Sequence, residues 1–270
     1  MTSPCEIIAI ASTKGGVGKT SIAFNIAGSM AHSGYTVLVC DIDAQADLTG
    51  VFVDEDVEPT EAIQRLEQTS PMYQAVIKEQ PVGQLIRATR HTRISLLGSG
   101  MDLYDWDEPL RKRMSQERRL SNVLRPVRDD YDFIIIDCPP APNKAMQMAL
   151  VAATGFLVPV DASAKSVVAL RRVMRLADDA RSDGGNAELR FLGAVFNKFQ
   201  ARTNLDKYYL EVYGREIGER FLKTHIPFRK PYQEAHTMGE PITLKKPESE
   251  LSDVYKQLLS EIDLCQSSTN

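Results

Sequence analysis

The nine residues Ser12-Thr13-Lys14-Gly15-Gly16-Val17-Gly18-Lys19-Thr20 combine three glycines, two lysines and a closing hydroxyl. Glycine-rich backbone can turn successive N–H groups inward around phosphate oxygens. The closing Gly-Lys-Thr matches the end of the pattern G-x-x-x-x-G-K-[ST]; Lys19 then neutralises β- and γ-phosphates and the Thr20 hydroxyl ligates Mg²⁺. Gly15, Gly16, Val17, Gly18 and Ser21 complete the expected cradle. Thr13 stands where the pattern has its first glycine, and Lys14 is additional to it. Since Lys19 already serves the phosphates, the loop raises the question of which phosphate Lys14 would reach.

Two further stretches carry carboxylates placed for cation chemistry. In FIIIDCPP (133–140), Asp137 follows four apolar residues. A carboxylate buried there without a cation is costly, so Asp137 is a candidate to orient Mg²⁺. In DIDAQADLT (41–49), Asp41 and Asp43 flank Ile42. Alternation along a strand puts both on one face, with Asp41 nearer the metal and Asp43 nearer an attacking water.

These groups need a rigid frame. Apolar, β-branched runs at 6–12, 36–43, 93–99, 131–140, 155–161, 191–198 and 221–227 read as strands. Helical patterns fill 19–33, 113–128, 143–152, 164–182, 204–216 and 248–263, with Gly34 stopping the first. Continuous apolar strands joined by crossover helices predict an α/β fold: a doubly wound, mostly parallel sheet flanked by helices. One domain over 1–265 and a disordered tail at 266–270 are expected. The segment 54–90 has short helical pieces interrupted by Pro59, Pro71 and Pro81, and its role stays open.

Composition narrows the class. No apolar run in the 270 residues approaches a membrane span, and the N-terminus lacks the basic start of a signal peptide. Cys5, Cys40, Cys138 and Cys265 are scattered without a C-x-x-C pair, which fits a reduced, cytoplasmic protein. The net charge of −4 conceals an asymmetry. From Lys165 to Lys230 there are 14 Lys and Arg against 8 Asp and Glu, leaving 18 against 28 elsewhere. That balance allows a basic patch on one side of an acidic protein.

The chain resembles the ParA/MinD family of deviant-Walker P-loop ATPases. The matching segments are KGGVGKT at 14–20, DIDAQADLT at 41–49, FIIIDCPP at 133–140, VFNK at 195–198 and IPFRKPYQEAHTMGEPI at 226–242, in family order. The last resembles ParA proteins in particular. The resemblance implies that Lys14 reaches across an ATP-sandwich homodimer to the partner's nucleotide, offsetting repulsion between two facing anions. It also implies that Asp43 helps to activate water, that Asp41 and Asp137 support Mg²⁺, and that Asn197 reads the adenine, with Pro227 in the same nucleotide site. Where the family often reads D-x-D-P-Q-G-N, this chain has Ala44, Ala46 and Asp47.

The resemblance further implies nonspecific binding to double-stranded DNA, a nucleoid location, and partition of a plasmid or chromosome with a ParB-like activator. A positioning ATPase for a protein cargo, using an adaptor, is the alternative; a membrane-surface ATPase is a more distant one. The C-terminal segment is acidic and its LxxxYxxLL spacing fits packing on the core, so no membrane partner is expected. With the loop at residue 14, no helix-turn-helix is expected ahead of it. Candidate DNA contacts are Arg171, Arg172, Arg175, Lys198, Arg202, Lys223, Arg229 and Lys230, with Arg229 and Lys230 foremost. The basic RKRMSQERR (111–119) reads as an outer helix face, with Leu110, Met114 and Leu120 nearer the core. An iron–sulfur relative would need two cysteines at a dimer axis; Cys138 follows Asp137 too closely to face such an axis, and no second candidate is evident.

Overall fold

The computed structural model describes residues 4–52, 69–113 and 115–262. Eight strands form one sheet: β1 (Glu6–Ile10), β2 (Val37–Asp41), β3 (Arg87–Ala88), β4 (Ile94–Leu97), β5 (Phe133–Asp137), β6 (Gly155–Val160), β7 (Arg190–Phe199) and β8 (Phe221–Pro227). Their order is β3-β4-β2-β5-β1-β6-β7-β8, and every pairing is parallel except β3 with β4. All seven expected strands are present. The two-residue β3 adds an antiparallel edge too short to leave a pattern in the sequence.

The sheet has two cores because side chains alternate along each strand. Ile7 and Ala9 of β1, with Ile134 and Ile136 of β5, pack on one face. Ile8 and Ile10, with Phe133 and Ile135, pack on the other, against Ile22, Phe24 and Ile26 of the helix Lys19–His32. Burial on both faces explains why β5 reads as an unbroken apolar run: all five of its residues are buried.

Register aligns the chemistry. Ile10 of β1 pairs with Asp137 of β5, and Asp137 pairs with Asp41 of β2. Three adjacent strands therefore end level, where the glycine loop leaves β1. Strand order reverses there, since β1 lies between β5 and β6, reached by crossovers on opposite sides, the usual position of a ligand crevice in such sheets.

Several helix boundaries differ from expectation. The pattern at 113–128 forms an α-helix only over Arg119–Leu124, between 3₁₀ turns at Gln116–Arg118 and Arg125–Asp130. Pro126 lies at the start of the second turn, where its missing N–H breaks the α ladder. Pro71 opens a helix, Pro71–Val76, with the Ser70 hydroxyl accepting from Tyr73 N at 3.2 Å. Lys230–Thr237, likewise opened by a proline, is a helix that the charge-rich sequence concealed. Leu110 and Leu120 are buried as expected, whereas Met114, the segment 53–68 and the tail from 263 lie outside the described residues. The helix Glu250–Glu261 buries Tyr255, Leu258 and Leu259 against the core, and its apolar stripe is consumed there. Among the described residues no helix is long and apolar enough to cross a membrane.

Candidate functional site

A cleft of about 460 Å³ opens at the level ends of the central strands. Gly15, Gly16, Gly18, Lys19, Thr20 and Ser21 line it, as do Asp43, Asn197 and Pro227. Val17, Asp41 and Asp137 are buried and do not line it. The loop needs its glycines: Gly16 has φ +70° and Gly18 φ +96°, in the left-handed region that side chains disfavour. Gly18 also passes so close to β7 that a Cβ would stand 2.1 Å from Asn197 Nδ2. The helix Lys19–His32 begins directly after it, so its positive N-terminal end faces the cleft.

Lys19 is nearly buried, at 6% exposure, and its ammonium donates to Lys14 O at 3.3 Å. Burial lowers its pKa, against the opposing pull of Asp137 and Asp43. Asp137 is fully enclosed, and its Oδ1 has no hydrogen-bond partner. Burial and the adjacent Asp41 push its carboxyl well above the usual range, while Thr20 and Lys19 pull the other way. An orphaned carboxylate oxygen beside a threonine hydroxyl is a donor set suited to a hard cation, so Asp137 and Thr20 fit Mg²⁺.

Asp41, expected to support Mg²⁺, has both carboxylate oxygens engaged by hydrogen bonds. Its Oδ1 accepts from Asp43 N at 3.0 Å; its Oδ2 accepts from Thr49 N at 2.8 Å and Thr49 Oγ1 at 2.7 Å. Ser99 Oγ then donates to Asp43 O at 2.8 Å. With its oxygens committed to the backbone of 43–49, Asp41 braces that loop. Burial lifts its pKa to about 6 despite these bonds. Asp43 is left to face the cleft, its pKa also raised by burial.

Lys14 lies within its own subunit's network. Its ammonium pairs with Asp161 Oδ2 at the end of β6 and donates to Ser163 Oγ at 3.0 Å. Ser163 Oγ in turn donates to Asp161 Oδ1 at 2.7 Å and caps the helix Ala164–Ser182 by accepting from Ser166 N at 3.2 Å. Burial raises the Asp161 pKa, but bonds from Lys14, Ser163 and Ser166 outweigh it and hold the carboxyl below its ordinary value. Sequence reasoning missed Asp161 and Ser163. Their signal is an acid directly after the apolar run GFLVPV, with a serine two residues on.

Asn197 is buried, and its amide is already engaged: Nδ2 donates to Val17 O at 2.8 Å and Oδ1 accepts from Lys198 N at 2.9 Å. One N–H and one lone pair remain for a base. The expected DNA contacts divide. Arg171, Arg172 and Arg175 are exposed on the helix Ala164–Ser182, but Arg171 is bound through two nitrogens to Glu216 at 2.7 and 2.8 Å. Arg202 and Lys223 are exposed, and Lys230 approaches Glu234 at 3.6 Å. Two candidates belong elsewhere. Lys198 donates to Gly16 O at 2.7 Å, and Arg229 lines the cleft beside Pro227. Both are exposed, and both side chains lie on the loop's side of the molecule because β7 and β8 end there.

The AAA_31 family model, described as an AAA domain, matches residues 5–190. The sporulation initiation inhibitor protein Soj of Bacillus subtilis (strain 168) is 29% identical over 257 residues, covering 95% of this chain and 98% of Soj. The chromosome partitioning protein ParA of Myxococcus xanthus (strain DK1622) is 28% identical over 258 residues, 95% of this chain and 87% of that protein. Among solved structures, the cell division ATPase MinD of Pyrococcus furiosus has a TM-score of 0.71 at 26% identity, covering 96% of this chain and 98% of that one. An ATP complex of Cyanothece McdA shares the fold, with a TM-score of 0.82 at 22% identity over 98% of each chain. A family model matched over more than half of the sequence, and likeness running almost end to end, make this chain a member of the ParA/MinD family of P-loop ATPases.

Proposed function

We propose that the chain is a ParA-type partition ATPase that forms an ATP-sandwich homodimer, binds nonspecific duplex DNA in that state, and is discharged by a ParB-like activator. The observation that carries this reading is the pair of lysines on one glycine loop. Lys19 is directed into the cleft, while Lys14 occupies the first variable position of the phosphate pattern and is held by a contact that it can exchange. The relatives Soj and ParA, named for sporulation control and chromosome partitioning, support the partition role.

The loop N–H groups and the end of the helix Lys19–His32 bind the phosphates of ATP, and Lys19 neutralises the charge that develops on the leaving diphosphate. Thr20 and Asp137 would hold Mg²⁺, which supplies further neutralisation of the β- and γ-phosphates. Asp43 orients the attacking water and accepts its proton; its raised pKa suits a base that must also release that proton. Asp41 holds the 43–49 loop so that Asp43 faces the cleft. Loss of the γ-phosphate removes the anion to which the partner's Lys14 would bind, and the dimer separates.

Arg172 and Arg175 are the strongest DNA candidates. They are exposed on one helix and have no ion-pair partner among the described residues. The test is binding to nonspecific duplex DNA with ADP, and with ATP in the Asp43→Ala protein, at two salt concentrations. ATP-dependent binding with a log–log salt slope of about −0.9 per phosphate contact is expected, and it should shrink in Arg172→Glu/Arg175→Glu. Equal binding with ADP and ATP, or none in either state, refutes the DNA-tracking reading.

A further inference from the structure

Lys198 is one of four non-glycine residues at positive φ among the described residues, at +59°. A left-handed lysine is disfavoured, and such strain persists only where its surroundings hold it. In a regular strand, Asn197 and Lys198 would point to opposite faces. The left-handed turn at the end of β7 instead brings both to the glycine loop. Asn197 Nδ2 donates to Val17 O at 2.8 Å and Lys198 Nζ to Gly16 O at 2.7 Å. Two consecutive side chains thus hold two consecutive carbonyls of a loop some 180 residues away.

A trans peptide places its C=O and N–H on opposite sides. Holding Gly16 O toward Lys198 turns the Val17 N–H away from it, and holding Val17 O does the same for the Gly18 N–H. Those are donors that a phosphate-binding loop must present, and Gly16 and Gly18 give it enough freedom to present them wrongly.

We propose that Lys198 is a positioning residue of the phosphate loop: its ammonium fixes the Gly16 peptide so that the Val17 N–H is preset for the phosphates of a nucleoside di- or triphosphate. Its strained backbone is the means by which it reaches that peptide, and DNA is not its ligand. The inference rests on nucleotide binding by the loop and is independent of the DNA reading.

The experiment compares three variants of the full chain, Lys198→Met, Lys198→Gly and Lys198→Arg, by calorimetric titration with ADP and with adenosine and by urea unfolding without nucleotide. Losing one charge-assisted bond weakens ADP binding by about tenfold in Lys198→Met and Lys198→Gly, while Lys198→Arg stays within about threefold. Adenosine, which has no phosphates, binds all three variants as it binds the wild type. Lys198→Gly relaxes the backbone, so it unfolds at higher urea than wild type while binding ADP less tightly. A structural role cannot move stability and affinity in opposite directions. ADP affinity within twofold of wild type in both Lys198→Met and Lys198→Gly overturns the proposal. So does an equal loss for adenosine, or a loss of DNA binding by Lys198→Met with ADP affinity intact. Failure of the wild-type chain to bind ADP would instead refute the nucleotide reading itself.

Discussion

Asp161→Asn should make the ATP dimer tighter. In the free subunit, Lys14 and Asp161 form an ion pair with both side chains at 19% exposure, so solvent screens it little. Lys14 must leave that pair to serve a nucleotide on the partner. Asparagine keeps one oxygen for the Ser163 and Ser166 hydroxyls but puts an amide NH2, which cannot accept, where Oδ2 met Lys14, so the ion pair is lost, a difference of about 1 kcal/mol. Two subunits give about 2 kcal/mol per dimer, or roughly 30-fold in the dimer dissociation constant. Ser163 Oγ remains a partner for Lys14 in the variant, which keeps the effect from being larger. Sedimentation velocity over a protein dilution series, with ATP and the Asp43→Ala change in both proteins to prevent turnover, measures it. A dissociation constant unchanged or raised in Asp161→Asn refutes the idea that this carboxylate competes with the partner's nucleotide for Lys14.

Ala46→Gly should stabilise the nucleotide-free protein by about 0.5–1 kcal/mol, because Ala46 has φ +55° and a glycine occupies that conformation without strain. Urea unfolding reads this, and a loss of stability would show that the methyl group, buried at 4% exposure, contributes more by packing than it strains. His225→Phe tests a pH effect. Burial among aromatic rings lowers the pKa of His225 from 6.5, so in the window below 6.5 the unfolded chain binds more protons and the wild type loses stability as pH falls. Phenylalanine takes up no proton, so the stability of the variant relative to wild type should rise between pH 8 and pH 5.5. A constant difference across that range would show that His225 has the same pKa folded and unfolded, so that its burial does not lower it.

Much of this arrangement was legible in the sequence because the signals were local. The loop lies between a strand and a helix within twenty residues, and Asp137 ends a run whose burial on both faces produces four consecutive apolar positions. What escaped depends on contacts distant in sequence. Lys198 looked like one of several surface cations, since nothing near it in the chain reveals a hydrogen bond to Gly16. Arg229 stood beside Lys230 in a basic pair, yet the start of the helix Lys230–Thr237 divides them, with Arg229 at its N-cap on the cleft and Lys230 in its first turn. Asp41 ends β2 and Asp43 lies beyond it; Thr49, on the short helix Asp47–Phe52, captures the first, while the second accepts from Gln45 N and faces the cleft. Prolines were read as interruptions where Pro71 begins a helix, because the same missing N–H suits a first turn and breaks an interior.

The carboxylate that holds Lys14 has other obligations. Asp161 also receives the hydroxyls of Ser163 and Ser166 at the start of the helix Ala164–Ser182, and its backbone oxygen receives Tyr213 from the helix Asn204–Ile217. Those two helices are clasped a second time by Arg171 and Glu216. If Lys14 leaves for a nucleotide, the Asp161 carboxylate, still bonded by Ser163 and Ser166, would lose its paired charge beside the positive end of the helix that displays Arg172 and Arg175. Such a change of charge would reach the helix that carries those arginines without passing through the sheet.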